Sequence, residues 1–165
     1  SDWKNKLLDQ TATYKNDVPF YDEVIELLEN ILNNEYEYLA EFNIESIIMI
    51  SEKFGFDTEF GRYTDYEFFF DEKPEPGTWG LKIAEALKAD TYINSPGGEF
   101  FISDKGFAKT GIELGIIQPQ IARYDQKGND FVPRLSIFDV LFFNGLKKTK
   151  KYVKNYGIKW MNSTI

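Results

Sequence analysis

Residues 78–117, TWGLKIAEALKADTYINSPGGEFFISDKGFAKTGIELGII, decide the fold class. Thr78–Ala89 carries apolar residues at helical spacing, and the β-branched and aromatic run Thr91–Asn94 reads as a strand. Ser103–Lys109 reads as a second helix and Ile112–Ile117 as a further strand. With Phe56–Phe60 extended ahead of them, the order is βαβαβ, which predicts a small, mostly parallel sheet with right-handed crossovers. Thr78 and Ser103 stand where helix N-caps belong, and Gly111 stands just past a helix end.

Working outward, Val24, Leu27, Leu28, Ile31 and Leu32 form one apolar stripe of a helix, with Pro19 and Asp22 near its start. From Tyr38 to Phe54 apolar residues fall on both sides (Leu39, Phe42, Ile44, Ile47, Ile48, Met49, Ile50). That pattern predicts a second helix buried nearly all round and ending at Gly55. The expected fold is α/β, with a helical N-terminal half followed by the βαβαβ segment. One domain over residues 1–165 is expected, with a helical subregion at about 1–55, the βαβαβ-like subregion at about 56–145 and a basic tail over 146–165. Asp71-Glu72-Lys73-Pro74-Glu75-Pro76-Gly77 reads as a mobile loop, and Tyr66-Glu67-Phe68-Phe69-Phe70 as a lid, a partner-facing patch, core or an edge strand.

The sequence holds neither cysteine nor histidine. That removes thiol nucleophiles, zinc sites of the usual Cys/His type, serine–histidine triads and any imidazole base. Carboxylate pairs such as Glu35 and Glu37 or Asp57 and Glu59 lack spacings diagnostic of a glycosidase or a metal site, so no metal ligands are assigned. No cofactor is identified. The absence of cysteine agrees with a reducing compartment, no stretch is apolar enough for a transmembrane segment, and Ser1-Asp2-Trp3-Lys4 does not open a signal peptide. A cytoplasmic protein is expected.

Net charge is −8, yet all 27 acidic residues precede Leu146 while Lys147, Lys148, Lys150, Lys151, Lys154 and Lys159 follow it. A body this acidic argues against nucleic acid as a partner, because phosphate neutralisation needs a basic surface. The tail is a solvated face, or it meets an anionic sugar nucleotide, a membrane surface or the acidic body itself.

Three stretches can carry chemistry. Asn94-Ser95-Pro96-Gly97-Gly98 places a tight turn at the carboxyl end of an expected parallel strand, where open α/β sheets bind ligands; Gly97 and Gly98 let the backbone approach an anion or simply make the turn. Ser136-Ile137-Phe138-Asp139 matches a capping box before a strongly apolar run that Asn144-Gly145 stops, which explains Asp139 without catalysis. Tyr124-Asp125-Gln126-Lys127-Gly128-Asn129-Asp130 reads as a turn between extended segments whose polar groups meet a sugar or solvent. Asn43, on the face of Leu39 and Ile47, satisfies a neighbouring backbone group or contacts a ligand.

Ala89–Gly98 and Phe131-Val132-Pro133-Arg134-Leu135-Ser136-Ile137-Phe138-Asp139-Val140-Leu141-Phe142-Phe143-Asn144-Gly145 resemble two ordered signatures of WbqC-like bacterial proteins. Phe107, Gly111-Ile112-Glu113, Trp3, Tyr14, Pro19-Phe20-Tyr21 and Leu39-Ala40-Glu41-Phe42-Asn43 fit the same pattern, so the similarity covers residues 3–145. The chain looks like the C-terminal two-thirds of such a protein, with a further N-terminal segment expected in relatives. It departs from the pattern at Asn94 and Pro96, at Arg62-Tyr63-Thr64-Asp65, and near Leu7, where relatives carry a histidine.

The resemblance implies a part in building surface polysaccharide of the O-antigen or lipopolysaccharide kind. A transferase modifying a nucleotide-linked amino sugar is the expected activity. Under it Ser95–Gly98 binds phosphate or carboxylate, Tyr124 and Gln126 contact sugar, and Asp139 acts as base or orienter. The alternative is a non-catalytic sugar- or partner-binding module of an assembly complex, using Phe68–Phe70 and the lysine-rich tail.

Overall fold

The computed structural model describes residues 2–70, 72–102, 104–128 and 130–161, apart from the side chains of Asp104 and Lys105. The chain forms two compact units, one from residues 1–60 and 121–154 and the other from 61–120 and 155–165. The expectations for Ser103 as a cap, and for Asp71 and Asn129 in their loops, fall outside the described residues.

The first unit is helical. Helix α1 spans Trp3–Thr11, α2 Tyr21–Asn33, α3 Leu39–Lys53 and α6 Ile137–Val153. The stripe read from α2 is its buried face, with Val24, Leu27, Leu28, Ile31 and Leu32 all inside. Val24, Leu27 and Ile31 meet Leu141 and Phe142 of α6, together with Phe54 from the end of α3. Each such apolar side chain contributes roughly 1.5–3 kcal/mol on full burial. Helix α3 corrects the expectation of burial all round, because none of its residues is buried. It lies over this core with Phe42, Met49 and Ile50 partly covered, while Leu39 is 73% and Ile47 56% exposed.

Helix α6 begins on Ser136, whose Oγ accepts the Phe138 N–H at 3.3 Å. The other half of the expected capping box is absent: the Asp139 carboxylate accepts from tyrosines instead. The expected stop at Asn144-Gly145 is a break inside α6, with Gly145 at φ 66° and ψ 174° and helix resuming beyond it. That backbone conformation is essentially restricted to glycine. Carbonyls near the break find other donors: Phe142 O accepts the Phe20 N–H at 3.3 Å, and Val140 O accepts Asn144 Nδ2 at 2.9 Å.

The second unit carries α4 (Trp79–Ala86), α5 (Asp104–Thr110) and three strands, β1 (Thr91–Asn94), β2 (Glu113–Pro119) and β3 (Tyr156–Trp160). Strand β1 runs parallel to β2, pairing Thr91 with Glu113 through Asn94 with Ile116, and β3 runs antiparallel to β2. The fold is therefore mixed α/β with a helical N-terminal half, as read, but the sheet is not mostly parallel and the βαβαβ order does not form. Residues 56–60 make no strand, because Phe56 packs on the core of the first unit, and the third strand comes from the basic tail. Leu81, Ala84, Phe107, Ile112, Leu114 and Ile116 make the core of the second unit. Thr78 precedes α4 without capping it, since its hydroxyl donates to the Glu75 carbonyl at 2.7 Å.

Candidate active site

In the first unit a short turn of 3-10 helix, Ala12–Tyr14, follows α1 and delivers the Tyr14 ring against α6. The ring stacks on Phe142 at 4.9 Å between centroids and meets Phe143 edge-on at 6.1 Å. These contacts aim the phenol, which donates to Asp139 Oδ2 at 2.7 Å. Asp139 lies in the first turn of α6, 7% exposed. Its other oxygen, Oδ1, accepts from the Tyr124 hydroxyl. Tyr124 is held in turn by an edge-on contact with Phe131 at 5.6 Å and a tilted one with Phe143 at 5.9 Å.

A buried carboxylate is stable only when its oxygens are satisfied, and here each takes a phenol while keeping a second lone pair. Burial, then the hydrogen bond to Asp139 and its negative charge, push the Tyr14 hydroxyl up to about 12. The same causes, in the same order, raise Tyr124 to about 12, with a hydrogen bond to Gln126 opposing them. Both phenols therefore stay protonated donors toward Asp139 across the ordinary pH range. The Tyr14 oxygen, having given its own proton to that bond, still presents lone pairs to a ligand.

Tyr14, Leu135 and Asp139 line two cavities. One, of about 440 Å³, is the more polar of the two: Thr13, Asp17, Gln126 and Lys127 share its wall with Val132 and Phe143. The other, of about 700 Å³, is walled mainly by apolar side chains of α1, α2, α3 and α6, including Leu28, Ile31, Phe42 and Phe142. Both volumes fall within the roughly 300–1,000 Å³ typical of small-molecule sites. Leu7, near where the family resemblance expects a histidine, is part of the apolar wall.

The residues expected at a site divide between the units. Asp139, Tyr124, Gln126 and Asn43 belong to the first, and Asn94, Ser95, Gly97 and Gly98 to the second. Tyr124 is bonded to Asp139, and Gln126 lines the polar cavity while clamping the loop above it. Its Nε2 donates to the Val132 carbonyl at 3.1 Å and its Oε1 accepts the Val132 N–H at 2.8 Å. Asn43 is exposed and lines the apolar cavity.

In the second unit Ser95 leads into a 3-10 turn over Pro96–Phe100. The Ser95 N–H donates to Asn94 Oδ1 at 2.8 Å and the Gly98 N–H to the Ser95 carbonyl at 3.0 Å, so the turn uses those amides itself. A Cβ on Gly98 would strike the Asn94 carboxamide, whereas one on Gly97 would meet nothing within 4 Å. A side chain at Gly98 would thus displace the Asn94 carboxamide, and Gly97 is the open side of the turn.

Tyr14 is the site residue that local sequence reading misses. Its partner is 125 residues away, and no spacing rule links them. Thr13 and Asp17 are likewise brought in by tertiary packing, whereas Lys127 comes from the turn whose polar groups were expected to meet a sugar or solvent; its Nζ is 3.7 Å from Asp17 Oδ1. Among the described residues no group of three or more acidic side chains is placed to hold a metal ion, and no helix is long and apolar enough to cross a membrane.

A model of the WbqC-like protein family matches residues 1–151, a span that contains Tyr14, Asn43, the Ser95–Gly98 turn, Tyr124 and Asp139. No curated protein and no solved structure matches the chain.

Proposed function

This chain belongs to the WbqC-like protein family, and from that premise we propose that it is a transferase of bacterial surface-polysaccharide biosynthesis, of the O-antigen type, acting on a nucleotide-linked amino sugar. The observation that carries the reading is the Asp139 carboxylate, buried between two phenols and facing two cavities of small-molecule size. Sites that combine a concave wall with a few convergent polar groups are where small ligands bind and react. The sugar occupies the polar cavity, where Asp17, Lys127 and the Tyr14 oxygen meet its hydroxyl and amino groups. Asp139 receives the proton that the amine gives up as it becomes a nucleophile. Taken by itself, the second unit has the exposed Ser95 hydroxyl and the open side of Gly97 as a separate place for an anion to touch. The reaction is placed in the cytoplasm, where nucleotide-linked sugars are made.

The test is calorimetric titration of UDP-glucosamine and related nucleotide-linked amino sugars into the wild type, Asp139→Asn, Tyr14→Phe and Ser95→Ala. Saturable binding that weakens in Tyr14→Phe and Asp139→Asn, with circular dichroism unchanged, is expected. Folded protein that binds none of the sugars would sink the transferase.

A second reading, a partner-binding module, is favoured by one feature of the second unit. Phe69, Phe100 and Phe101 are 87%, 83% and 77% exposed. Phe68 instead stacks with Tyr63, Tyr66 and Phe70, so the aromatic run has an inner and an outer side. Sugar-nucleotide binding lost on Phe69→Ser but kept in Tyr14→Phe would favour the module over the transferase.

A further inference from the structure

The two cavities that meet at Asp139 differ in the share of their walls that is apolar, and the difference bears on what is transferred. In the larger one the hydroxyls of Thr11 and Ser46 turn back onto carbonyls of their own helices, Leu8 at 2.7 Å and Phe42 at 2.6 Å. Its wall is left apolar, with Asn43, Ser136, Tyr14 and Asp139 as the polar groups able to face a ligand. Removing apolar surface from water is favourable by roughly 25 cal/mol per Å², so a cavity of about 700 Å³ with such walls selects a ligand with a sizeable apolar part. That ligand must also carry a polar head, because the apolar wall runs to the carboxylate. The polar cavity starts from the same Tyr14 and Asp139. One side chain pair therefore stands between a place for an apolar chain and a place for a sugar.

Resting on the transferase reading above, we propose that the group transferred is an acyl chain: the apolar cavity holds the chain of an acyl thioester, and the sugar amine in the polar cavity takes it over at Asp139. The nitrogen lone pair attacks the thioester carbonyl carbon, a C–N bond forms, and the C–S bond breaks with its electron pair leaving on sulfur. The proton lost by nitrogen passes to the Asp139 carboxylate, through the Tyr14 oxygen or directly, and then to the thiolate as the thiol departs. No oxidant or reductant is needed. Transfer is direct, amine onto thioester, and the activation comes with the donor. The exposed Asn43 amide, on the same cavity wall, is the group suited to donate to the thioester oxygen.

Sodium decanoate and UDP-glucosamine are the probes. Each is titrated into the isotope-labelled full chain and followed by amide and methyl shifts, with Ile47→Trp alongside. Ile47 lines the apolar cavity, is 56% exposed and lies outside the buried core, so the larger ring narrows the cavity without disturbing packing. Decanoate is expected to saturate, to shift Phe42, Ser46 and Ile47, and to bind at least roughly tenfold more weakly to Ile47→Trp, as poor steric fit in an apolar pocket generally costs. UDP-glucosamine binding should be unchanged in that variant.

Sugar binding without decanoate binding overturns the acyl chain and leaves the sugar transferase standing. Decanoate shifts confined to Phe69, Phe100 and Phe101 overturn it as well, because they mark adsorption on exposed aromatics. Failure of both probes on folded protein overturns both readings. If Ile47→Trp does not fold, the wild-type shift map decides alone.

Discussion

A single carboxylate joins side chains that lie far apart in sequence. Replacing Asp139 by Asn keeps its shape and removes its charge, so two phenol donors lose a charged acceptor, and hydrogen bonds to charged groups contribute about 1.5–3 kcal/mol each. Asp139→Asn is expected to lower stability at neutral pH by about 2 kcal/mol, measured by urea unfolding. The phenols make stability fall in alkali. Their folded-state pKa of about 12 lies above the ordinary 10.0, so the folded form holds these protons more tightly. The contribution is fully present below pH 10.0 and is lost as pH rises toward about 12. Urea midpoints taken across that range should fall more steeply for the wild type than for Tyr14→Phe with Tyr124→Phe, and equal slopes would count against the Tyr14–Asp139–Tyr124 cluster. Asp139 was visible in sequence as the acid of a Ser-x-x-acid pattern, which correctly located the start of α6. Its bonds were not visible: Tyr124 was expected to contact sugar, and Tyr14 is a neighbour only in space, which a rule that reads along the chain does not reach.

Among the elements, α6 depends most on one residue. Gly145 takes a backbone conformation that other residues avoid, at a cost of order 1–3 kcal/mol, and a Cβ there would sit 2.7 Å from Phe20 Cε1. Gly145→Ala should therefore destabilise the protein by at least roughly 2 kcal/mol in thermal or urea unfolding, combining that strain with the clash. A neutral effect would mean that α6 runs straight through. Helices α2 and α4 and strands β1 and β2 were legible from apolar periodicity and residue type, and α5 also from Gly111 just past its end; α4 instead ends on Lys88 at φ 55°. The strand expected over 56–60 failed where tertiary contact outweighed local pattern. The Phe56 ring carries the ammonium groups of Lys150 and Lys154 at 5.5 and 5.7 Å, and its N–H closes the end of α3 by donating to the Ser51 carbonyl. Strand β3 went unread for the opposite reason. Tyr156, Ile158 and Trp160 alternate with Gly157 and Lys159, a strand pattern masked by the lysines around it.

For the whole molecule, each unit takes residues from two separate stretches of chain. The second unit is closed by β3, which covers one edge of β2 from Gly115 to Pro119, and Lys159 Nζ meets Glu99 Oε2 at 3.0 Å. Truncation after Lys154 should speed amide exchange over residues 114–118 by uncovering that edge. Unchanged protection would show that β3 contributes little. The charge reading also takes a definite form here. The lysines expected as a tail are divided, with Lys147–Lys154 in the first unit and Lys159 in the second.

Closure of the Tyr14–Asp139 bond has a consequence for synthesis. The carboxylate leaves the ribosome 125 residues after the tyrosine, at roughly 5–20 residues per second. For that interval, about 6–25 seconds, α2 has its apolar stripe but not α6 to cover it. Until α6 emerges the wall around Asp139 is incomplete, and the exposed stripe of α2 is a surface on which a nascent chain can aggregate.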